Sequence, residues 1–136
     1  MATRAIRGAT QLKVDERSDL LKATAELVTK VLHENSLQAS DLISVWFSAT
    51  PDITSEFPAV AARELGLGDV PLMCCVEMDV KGAMPRIIRL MMHVETKLER
   101  SEIQHVYLRG SEHSVHFADS RNGRRRPIAA TAERSR

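Results

Sequence analysis

The chain has 136 residues, of which 43% are apolar and 27% are charged, and its formal net charge is +1. A chain of this length forms one domain that buries about two-thirds of its unfolded surface, and the composition excludes collagen-like, wholly disordered and disulfide-rich proteins. No stretch approaches the roughly 18 consecutive apolar residues of a membrane span. Arg4 and Arg7 lie where a signal peptide is apolar. We expect a soluble, cytoplasmic protein that binds no membrane.

Positive charge is concentrated at the C-terminal end of the chain. Six arginines and one glutamate follow residue 120, so this end carries +5 and residues 1–120 carry −4. Such a tail can bind nucleic acid through phosphate contacts. The chain has only five aromatic residues, however, and they do not alternate with basic residues as a base-stacking surface requires. The sequence therefore disfavours nucleic acid as a partner.

The first third of the chain predicts a strand followed by a long helix. Residues 3–10 predict a strand that ends near Gly8, where a bulge or a close backbone approach is expected. Apolar residues recur at helical spacing over residues 18–34, which indicates an amphipathic helix that covers a sheet. Its expected N-cap is Asp15 or Ser18, and it is expected to end at the Asn-Ser pair that follows.

The remaining segments predict four strands and a second helix. Residues 42–49 form a nearly continuous β-prone run, which is typical of a strand covered on both faces. Residues 57–65 predict a helix with proline in its first turn and glycine at its end. The later segments predict a strand, a turn, a strand, a short helical turn and a last strand, at residues 70–78, 81–82, 87–96, 101–104 and 105–109.

The element order β-α-β-α-β-β-β combines crossover connections with hairpins. It predicts an α/β fold of the α+β type, a mixed sheet of about five strands with helices packed on one face. Residues 1–110 are expected to form this single domain. Residues 111–136 lose periodicity and gain serine, histidine and arginine, so we expect them to form a mobile basic tail.

The sequence lacks the usual catalytic motifs. It has no nucleophile elbow and no phosphate-binding loop, and the Gly-Leu-Gly at 66–68 lacks the third glycine of a dinucleotide site. His113 and His116 are three residues apart in an irregular segment, which favours solvated histidines over a metal site. Cys74 and Cys75 lie in an apolar strand, which favours small core residues over a nucleophile.

Charged side chains within apolar segments are the remaining candidates. Arg7, Glu77 and Arg89 lie in predicted strands, and Arg63 lies in the second helix. Strand alternation places Arg89 on the less apolar side of its strand, which favours a side chain that faces water. In the alternative, Arg7, Glu77 and Arg89 converge in a cleft, where guanidinium groups bind a dicarboxylate and the carboxylate binds a hydroxyl. Spacing alone leaves both interpretations open.

Five blocks of sequence around these residues resemble one enzyme family. They are similar to the small monofunctional chorismate mutases of the α/β homotrimeric family, as distinct from the all-helical mutases. The blocks follow one another in order along the chain: residues 5–10 (AIRGAT), 48–65 (SATPDITSEFPAVAAREL), 77–82 (EMDVKG), 88–92 (IRLMM) and 105–108 (HVYL).

The resemblance implies an isomerase that converts chorismate to prephenate by a [3,3] rearrangement, a step towards phenylalanine and tyrosine. The reaction is unimolecular, so the resemblance implies neither a metal nor another cofactor. It also implies a homotrimer of pseudo-barrel form with active sites at the subunit interfaces. The competing hypothesis is a non-catalytic trimeric module on the same scaffold, which binds a carboxylate metabolite or a partner protein.

The resemblance assigns roles to particular residues. Arg89 matches the cation at the ether oxygen of chorismate, and Glu77 matches the acid that binds the ring hydroxyl. Arg7 matches the arginine that binds a substrate carboxylate, and Tyr107 the tyrosine that supports it. Cys74 matches the family's site-lining cysteine. The residues that correspond to the neighbouring subunit's contribution are Phe57, Ala59, Arg63 and Met73.

Two departures from the family pattern bear on substrate binding. Position 60 is valine where family members carry a lysine at the mouth of the pocket, so we expect weaker substrate capture. Residues 111–136 do not align with the segment that closes the family's site, and no closing residue is assigned. Arg109 or an arginine of the tail is the candidate replacement for the missing cation.

Overall fold

The computed structural model describes residues 1–114, which form a five-stranded sheet, two α-helices and three short 3₁₀ helices. No helix in this range combines the length and the apolar character that a membrane crossing requires. The strands are β1 (Ala2–Gln11), β2 (Leu42–Ala49), β3 (Leu72–Val76), β4 (Ile87–Thr96) and β5 (Val106–Tyr107). The α-helices are α1 (Arg17–Glu34) and α2 (Pro58–Glu64), and the 3₁₀ helices are Ala39–Asp41, Arg100–Glu102 and Ser111–Ser114.

The strands lie in the order β3-β2-β4-β1-β5. The central strand β4 runs antiparallel to both β1 and β2, whereas β2 pairs with β3, and β1 with β5, in parallel. The predicted element order and the mixed five-stranded sheet are therefore confirmed. The predicted bounds of β2 and β4 coincide with the observed ones.

Both helices bury their apolar side chains against one face of the sheet. Alternate residues of the strands point to this face, among them Ile6, Phe47 and Met92, and all three are fully or almost fully buried. They form one core cluster with Leu27 of α1 and Ala62 of α2. This burial of apolar surface is the main force that holds the helices on the sheet.

Glycine at position 8 permits the close contact between β1 and α1. A Cβ atom at Gly8 would lie 3.2 Å from Leu27 Cδ1 and 3.3 Å from both Val31 Cγ2 and the Val106 carbonyl oxygen. The expected close approach at Gly8 is confirmed. The expected strand end there is wrong, because β1 pairs with β4 in unbroken register as far as Gln11.

The predicted N-cap of α1 is also wrong. The N-cap is Glu16, which makes no side-chain capping bond. The Asp15 carboxylate instead accepts hydrogen bonds from Thr54 and from the Ser55 backbone N–H at 3.3 Å, so it ties the start of α1 to the loop before α2. The predicted helix end is confirmed by Asn35 as the C-cap.

Four predicted elements are shorter than expected, and the first is α2, because its predicted end residues Phe57 and Leu65 are the N-cap and the C-cap. β3 begins only after Pro71, which has no N–H for the ladder, and its paired residues end at Val76. β5 has two residues, because Arg109 and Gly110 adopt positive φ values of 56° and 78° that turn the chain away from the sheet. The expected helical turn at 101–104 is the 3₁₀ helix Arg100–Glu102.

The expectation that β2 is covered on both faces is wrong for the single chain. Phe47 is buried beneath the helices, but its neighbour Trp46 is 47% exposed on the opposite face. Within residues 1–114 the two α-helices cover one side of the sheet, so the part of the opposite face that bears Trp46 is left open.

The first residues of the expected C-terminal tail pack on the domain. Ser111 is fully buried, and its hydroxyl donates to the Ala9 carbonyl oxygen at 2.9 Å. Residues 115–136, which include His116 and the six tail arginines, lie outside the described residues.

Candidate active site

The sheet face opposite the helices carries two rows of side chains. Residues that are Cα partners across neighbouring strands point to the same face, so the strand register defines each row. The first row consists of Cys75, Ser48, Arg89, Ala9 and Tyr107. The second row consists of Met73, Trp46, Met91 and Arg7.

A cavity of about 280 Å³ opens on this face. This volume is close to the lower limit for small-ligand pockets. Its walls include the guanidinium-bearing residues Arg7 and Arg89, and the remaining lining residues are Gly8, Trp46, Phe47, Ser48, Cys75, Leu90, Met91 and Tyr107. The lining combines apolar side chains with two cations, which suits a small anion with an apolar body.

Arg89 is held in this cavity by an ion pair. Its Nε donates to Glu77 Oε2 at 2.6 Å, and Ser48 Oγ donates to the same oxygen at 2.7 Å. The side chains of Arg89 and Glu77 are 20% and 13% exposed. The interpretation of Arg89 as a water-facing side chain is therefore wrong, although alternation gave its sheet face correctly.

Arg7 and Tyr107 reach the same cavity from β1 and β5. Arg7 is the Cα partner of Met91, and Tyr107 is the Cα partner of Ala9. The Arg7 backbone N–H donates to His105 Nδ1 at 3.0 Å, so the residue before β5 is tied to β1 at the point where Arg7 enters the site. Arg7, Glu77, Arg89 and Tyr107 thus converge on one side of the sheet.

The other expected site residues lie elsewhere. The lining of the cavity contains neither the α2 residues Ala59 and Arg63 nor Phe57. Phe57 is 67% exposed just before α2, and Met73 is 51% exposed on β3, an edge strand of the sheet. One copy of the chain therefore presents two separate groups of expected site residues.

Cys74 belongs to the second group. Burial raises the pKa of the Cys74 thiol, and a hydrogen bond from the Ala59 backbone and the charge of Arg63 only partly oppose this. The thiol is therefore neutral near pH 7, in line with a small packed residue and not a nucleophile. The expectation that Cys75 is a small core residue is wrong, because Cys75 is exposed and lines the cavity.

Arg109 does not supply the missing cation at this cavity. Its guanidinium contacts Asp19 at 3.4 Å and Glu26 at 3.3 Å, both on α1. Val60, which occupies the position where family members carry a lysine, lies in α2. Residues 1–114 contain no cluster of three or more metal-ligating side chains.

The family model for chorismate mutase type I matches residues 3–114. The chain belongs to this family. It is 43% identical over 109 residues to chorismate mutase AroH from Bacillus subtilis, covering 79% of this chain and 86% of that protein. It is 41% identical over 107 residues to chorismate mutase AroH from Thermus thermophilus, covering 78% and 88% of the two chains.

A solved structure extends the similarity to the fold. The chorismate mutase from Clostridium thermocellum superposes with a TM-score of 0.78 at 40% identity, covering 79% of this chain and 96% of that one. These relatives confirm the α/β fold and the chorismate mutase function that the sequence predicted. The non-catalytic alternative gains no support from them.

Sequence reasoning missed two residues that contact the Arg89–Glu77 ion pair, namely Ser48 and Ser114, and it assigned Cys75 to the core although this residue lines the cavity. Ser48 and Ser114 both hydrogen-bond the charged pair. Alternation along β3, which puts Cys75 on the side of Met73 and Glu77, was a usable signal for the cysteine. The two serines gave no such signal in the sequence, because they belong to no recognised motif.

Proposed function

We propose that this chain converts chorismate to prephenate in the cavity on the open sheet face, with Arg89 as its principal electrostatic group. The observation that carries this proposal is the ion pair that Glu77 makes with Arg89, which lines one cavity together with Arg7 and Tyr107. The set contains two cations and one acid, which suits a doubly charged ligand with a hydroxyl group.

The reaction needs positioning and electrostatics rather than a reactive side chain. In the rearrangement the ether C–O bond breaks as a C–C bond forms within one molecule, and no proton, electron pair or group passes to the protein. A site that holds the flexible dianion folded removes orientational freedom before the barrier. Fixed donors aimed at the ether oxygen stabilise the negative charge that develops there.

The geometry supports a division of labour among the four residues. Arg89 lies in the cavity with Nε bound to Glu77 and Nη1 bound to Ser114, so the remaining N–H groups of its terminal nitrogens are available to the ether oxygen. Glu77 binds the ring hydroxyl with a carboxylate already oriented by Ser48. Arg7 binds a substrate carboxylate, and Tyr107, one strand away, supports it.

The second group of site residues completes the cavity of another copy. The lining of their own chain's cavity contains none of the residues Phe57, Ala59, Arg63, Met73 and Cys74, although Met73 on the edge strand β3 pairs with Trp46 of that lining. Arg63 of the neighbour adds a third cation, so that three cations against one carboxylate balance a dianion. The exposed Trp46 and Met91 on the open sheet face provide apolar surface for the contact between copies.

A closed homotrimer satisfies this arrangement, because each copy gives one group and receives the other around a three-fold axis. The same proposal covers residues 1–110 as one catalytic domain, on which residues 111–114 also pack, and a cytoplasmic location. Two free thiols, Cys74 and Cys75, are compatible with a reducing compartment. A sedimentation or light-scattering mass of three 15.2 kDa chains is expected.

Incubation of the purified chain with chorismate tests the activity directly. The ultraviolet absorbance of chorismate should fall, prephenate should accumulate in equal amount, and added chelator should leave the rate unchanged. Absence of turnover by a folded protein of trimeric mass would refute the assignment.

Mixing two inactive variants tests the shared site. Arg89→Ala and Arg63→Ala are each expected to be inactive, since each removes a cation from every site. Random mixed trimers regain about one intact site in four, because head-to-tail contacts pair an intact Arg89 with an intact Arg63 from another copy. A mixture that stays as inactive as its components would show that each site draws on a single copy.

A further inference from the structure

The last described turn of the chain is firmly attached beside the active-site strands. Two backbone conformations with positive φ, at Arg109 and Gly110, reverse the chain after β5 and lead into Ser111–Ser114. Ser111 donates from its hydroxyl to the Ala9 carbonyl oxygen at 2.9 Å and from its backbone N–H to Leu108 at 3.0 Å. The turn is thereby fixed to β1 at the residue that pairs with Arg89.

Ser114 at the end of this turn contacts the catalytic cluster. Its hydroxyl donates to the Ser111 carbonyl oxygen at 2.6 Å, which uses its only proton. The hydroxyl oxygen accepts a hydrogen bond from Arg89 Nη1 at 2.8 Å. Ser114 therefore presents a lone pair of fixed direction to the guanidinium.

The geometry points to Ser114 as a positioning residue for the proposed rearrangement: its hydroxyl, oriented by Ser111, fixes the plane of the Arg89 guanidinium. This inference rests on the proposed role of Arg89. Glu77 holds Nε and Ser114 holds Nη1, so two different atoms of the planar group are fixed. One contact alone would leave the plane free to rotate about the axis of that hydrogen bond. With both, the remaining N–H groups point in one direction.

The hydrogen bond between Ser114 and Arg89 acts mainly on the chemical step. Arginine has several rotatable bonds, and holding its side chain in one geometry costs conformational entropy. Contacts that already fix the group in the free enzyme remove this cost from the transition state. Loss of the Ser114 hydroxyl should therefore lower kcat and leave KM nearly unchanged.

The test compares Ser114→Ala with Ser114→Thr in the full-length enzyme. Ser114→Ala should lower kcat about 10-fold, the effect of one hydrogen bond to a charged group, and change KM less than about twofold. Ser114→Thr keeps the hydroxyl and should recover most of the loss. His113→Ala, at a side chain 77% exposed on the same turn, is the matched control and should behave as wild type.

A second measurement separates positioning from a general role in folding. In an Arg89→Lys background the planar group is absent, so adding Ser114→Ala should lower kcat no further. An equal loss in both backgrounds would assign Ser114 a structural role and overturn the inference. A wild-type kcat in Ser114→Ala would also overturn it, as would a higher kcat/KM, which would mean that Ser114 competes with substrate.

These results are distinguishable from failure of the proposed function itself. If the wild-type chain does not rearrange chorismate, the proposed function fails before any variant is compared. If the wild type is active and Ser114→Ala matches it, only the role of Ser114 fails.

Discussion

Arg89→Lys separates the charge of the proposed catalytic cation from its shape. In the wild type, Arg89 contacts Glu77 through Nε and Ser114 through Nη1, so the proposed contact with substrate falls to the remaining N–H groups of its terminal nitrogens. Lysine has a single nitrogen and no planar fork. An ammonium that satisfies Glu77 cannot at the same time occupy the place of the terminal nitrogens.

The expected loss in kcat is at least about 10²-fold, equivalent to about 2.7 kcal/mol, because one preorganised donor to the developing charge is removed. The lysine keeps a counter-charge for Glu77, so the free energy of unfolding should fall by less than about 1 kcal/mol. Arg89→Ala should lose at least as much activity. It should also be less stable by about 1–3 kcal/mol, because the largely buried Glu77 carboxylate would keep Ser48 as its one side-chain donor among residues 1–114.

Initial rates of chorismate loss at saturating substrate measure the first effect, and thermal or denaturant unfolding measures the second. Arg4→Lys is the matched control, since Arg4 also lies in a central strand but bonds the Leu98 carbonyl oxygen at 3.1 Å and does not line the cavity. Its kcat should stay within about twofold of wild type. If Arg89→Lys retained wild-type kcat, charge alone would suffice and the reasoning from shape would be refuted.

Three further predictions concern packing, acid stability and substrate capture. Gly8→Ala places a methyl group 3.2 Å from Leu27 Cδ1, and this overpacking should cost about 1–3 kcal/mol, or at least about 3 °C in Tm; an unchanged Tm would show that α1 moves freely. Burial tends to raise the pKa of Asp15, but hydrogen bonds from Ser55 and its neighbour outweigh it and hold the pKa below the ordinary value. The stabilisation from the ionised Asp15 carboxylate is thus present at neutral pH and lost as pH falls below about 4. In denaturant titrations, Asp15→Asn should therefore be less stable than wild type at pH 7 and approach the wild-type stability near pH 3. A difference in the free energy of unfolding that is independent of pH would contradict this. Val60→Lys should lower KM severalfold with kcat unchanged and lose this gain at high salt, whereas an unaltered KM would place position 60 outside the path of the substrate.

The sequence predicted the parts of the fold that depend on local periodicity. The long amphipathic pattern of α1 and the apolar runs of β2 and β4 each specify one element, because burial of a regular stripe outweighs other preferences. The N-cap of α1 was not predictable in this way. Asp15 has the right chemistry for a cap, but a loop almost 40 residues away offers it backbone N–H and hydroxyl donors.

The predicted ends of strands were wrong where tertiary contacts determine them. Nothing near Gly8 shows that β1 continues to Gln11, since its last pairs are made with β4 far along the chain. β5 is short because the two residues Arg109 and Gly110 have positive φ values. Glycine in a sequence indicates that a positive φ is possible, whereas arginine does not.

The candidate site was predictable only through family resemblance. Alternation assigned Arg89 to the correct side of β4, but the environment of that side depends on which strands lie next to it. Glu77 is 12 residues from Arg89 and Ser48 is 41 residues away, and only the strand register brings the three together. No local motif encodes such a distance.

A reaction that uses no nucleophile and no proton transfer requires no short catalytic motif in the sequence. The register of the strands determines which site residues meet. A slip of β4 by one residue would exchange the faces of its side chains. The Leu90 side chain, now buried opposite Phe47, would move to the open sheet face, and the Arg89 guanidinium would enter the apolar core under α1. The burial of Phe47 and Leu90 therefore selects the register that also places Arg89 beside Glu77. Since the core enforces the alignment that the site requires, packing changes beneath the cavity should alter kcat as well as stability.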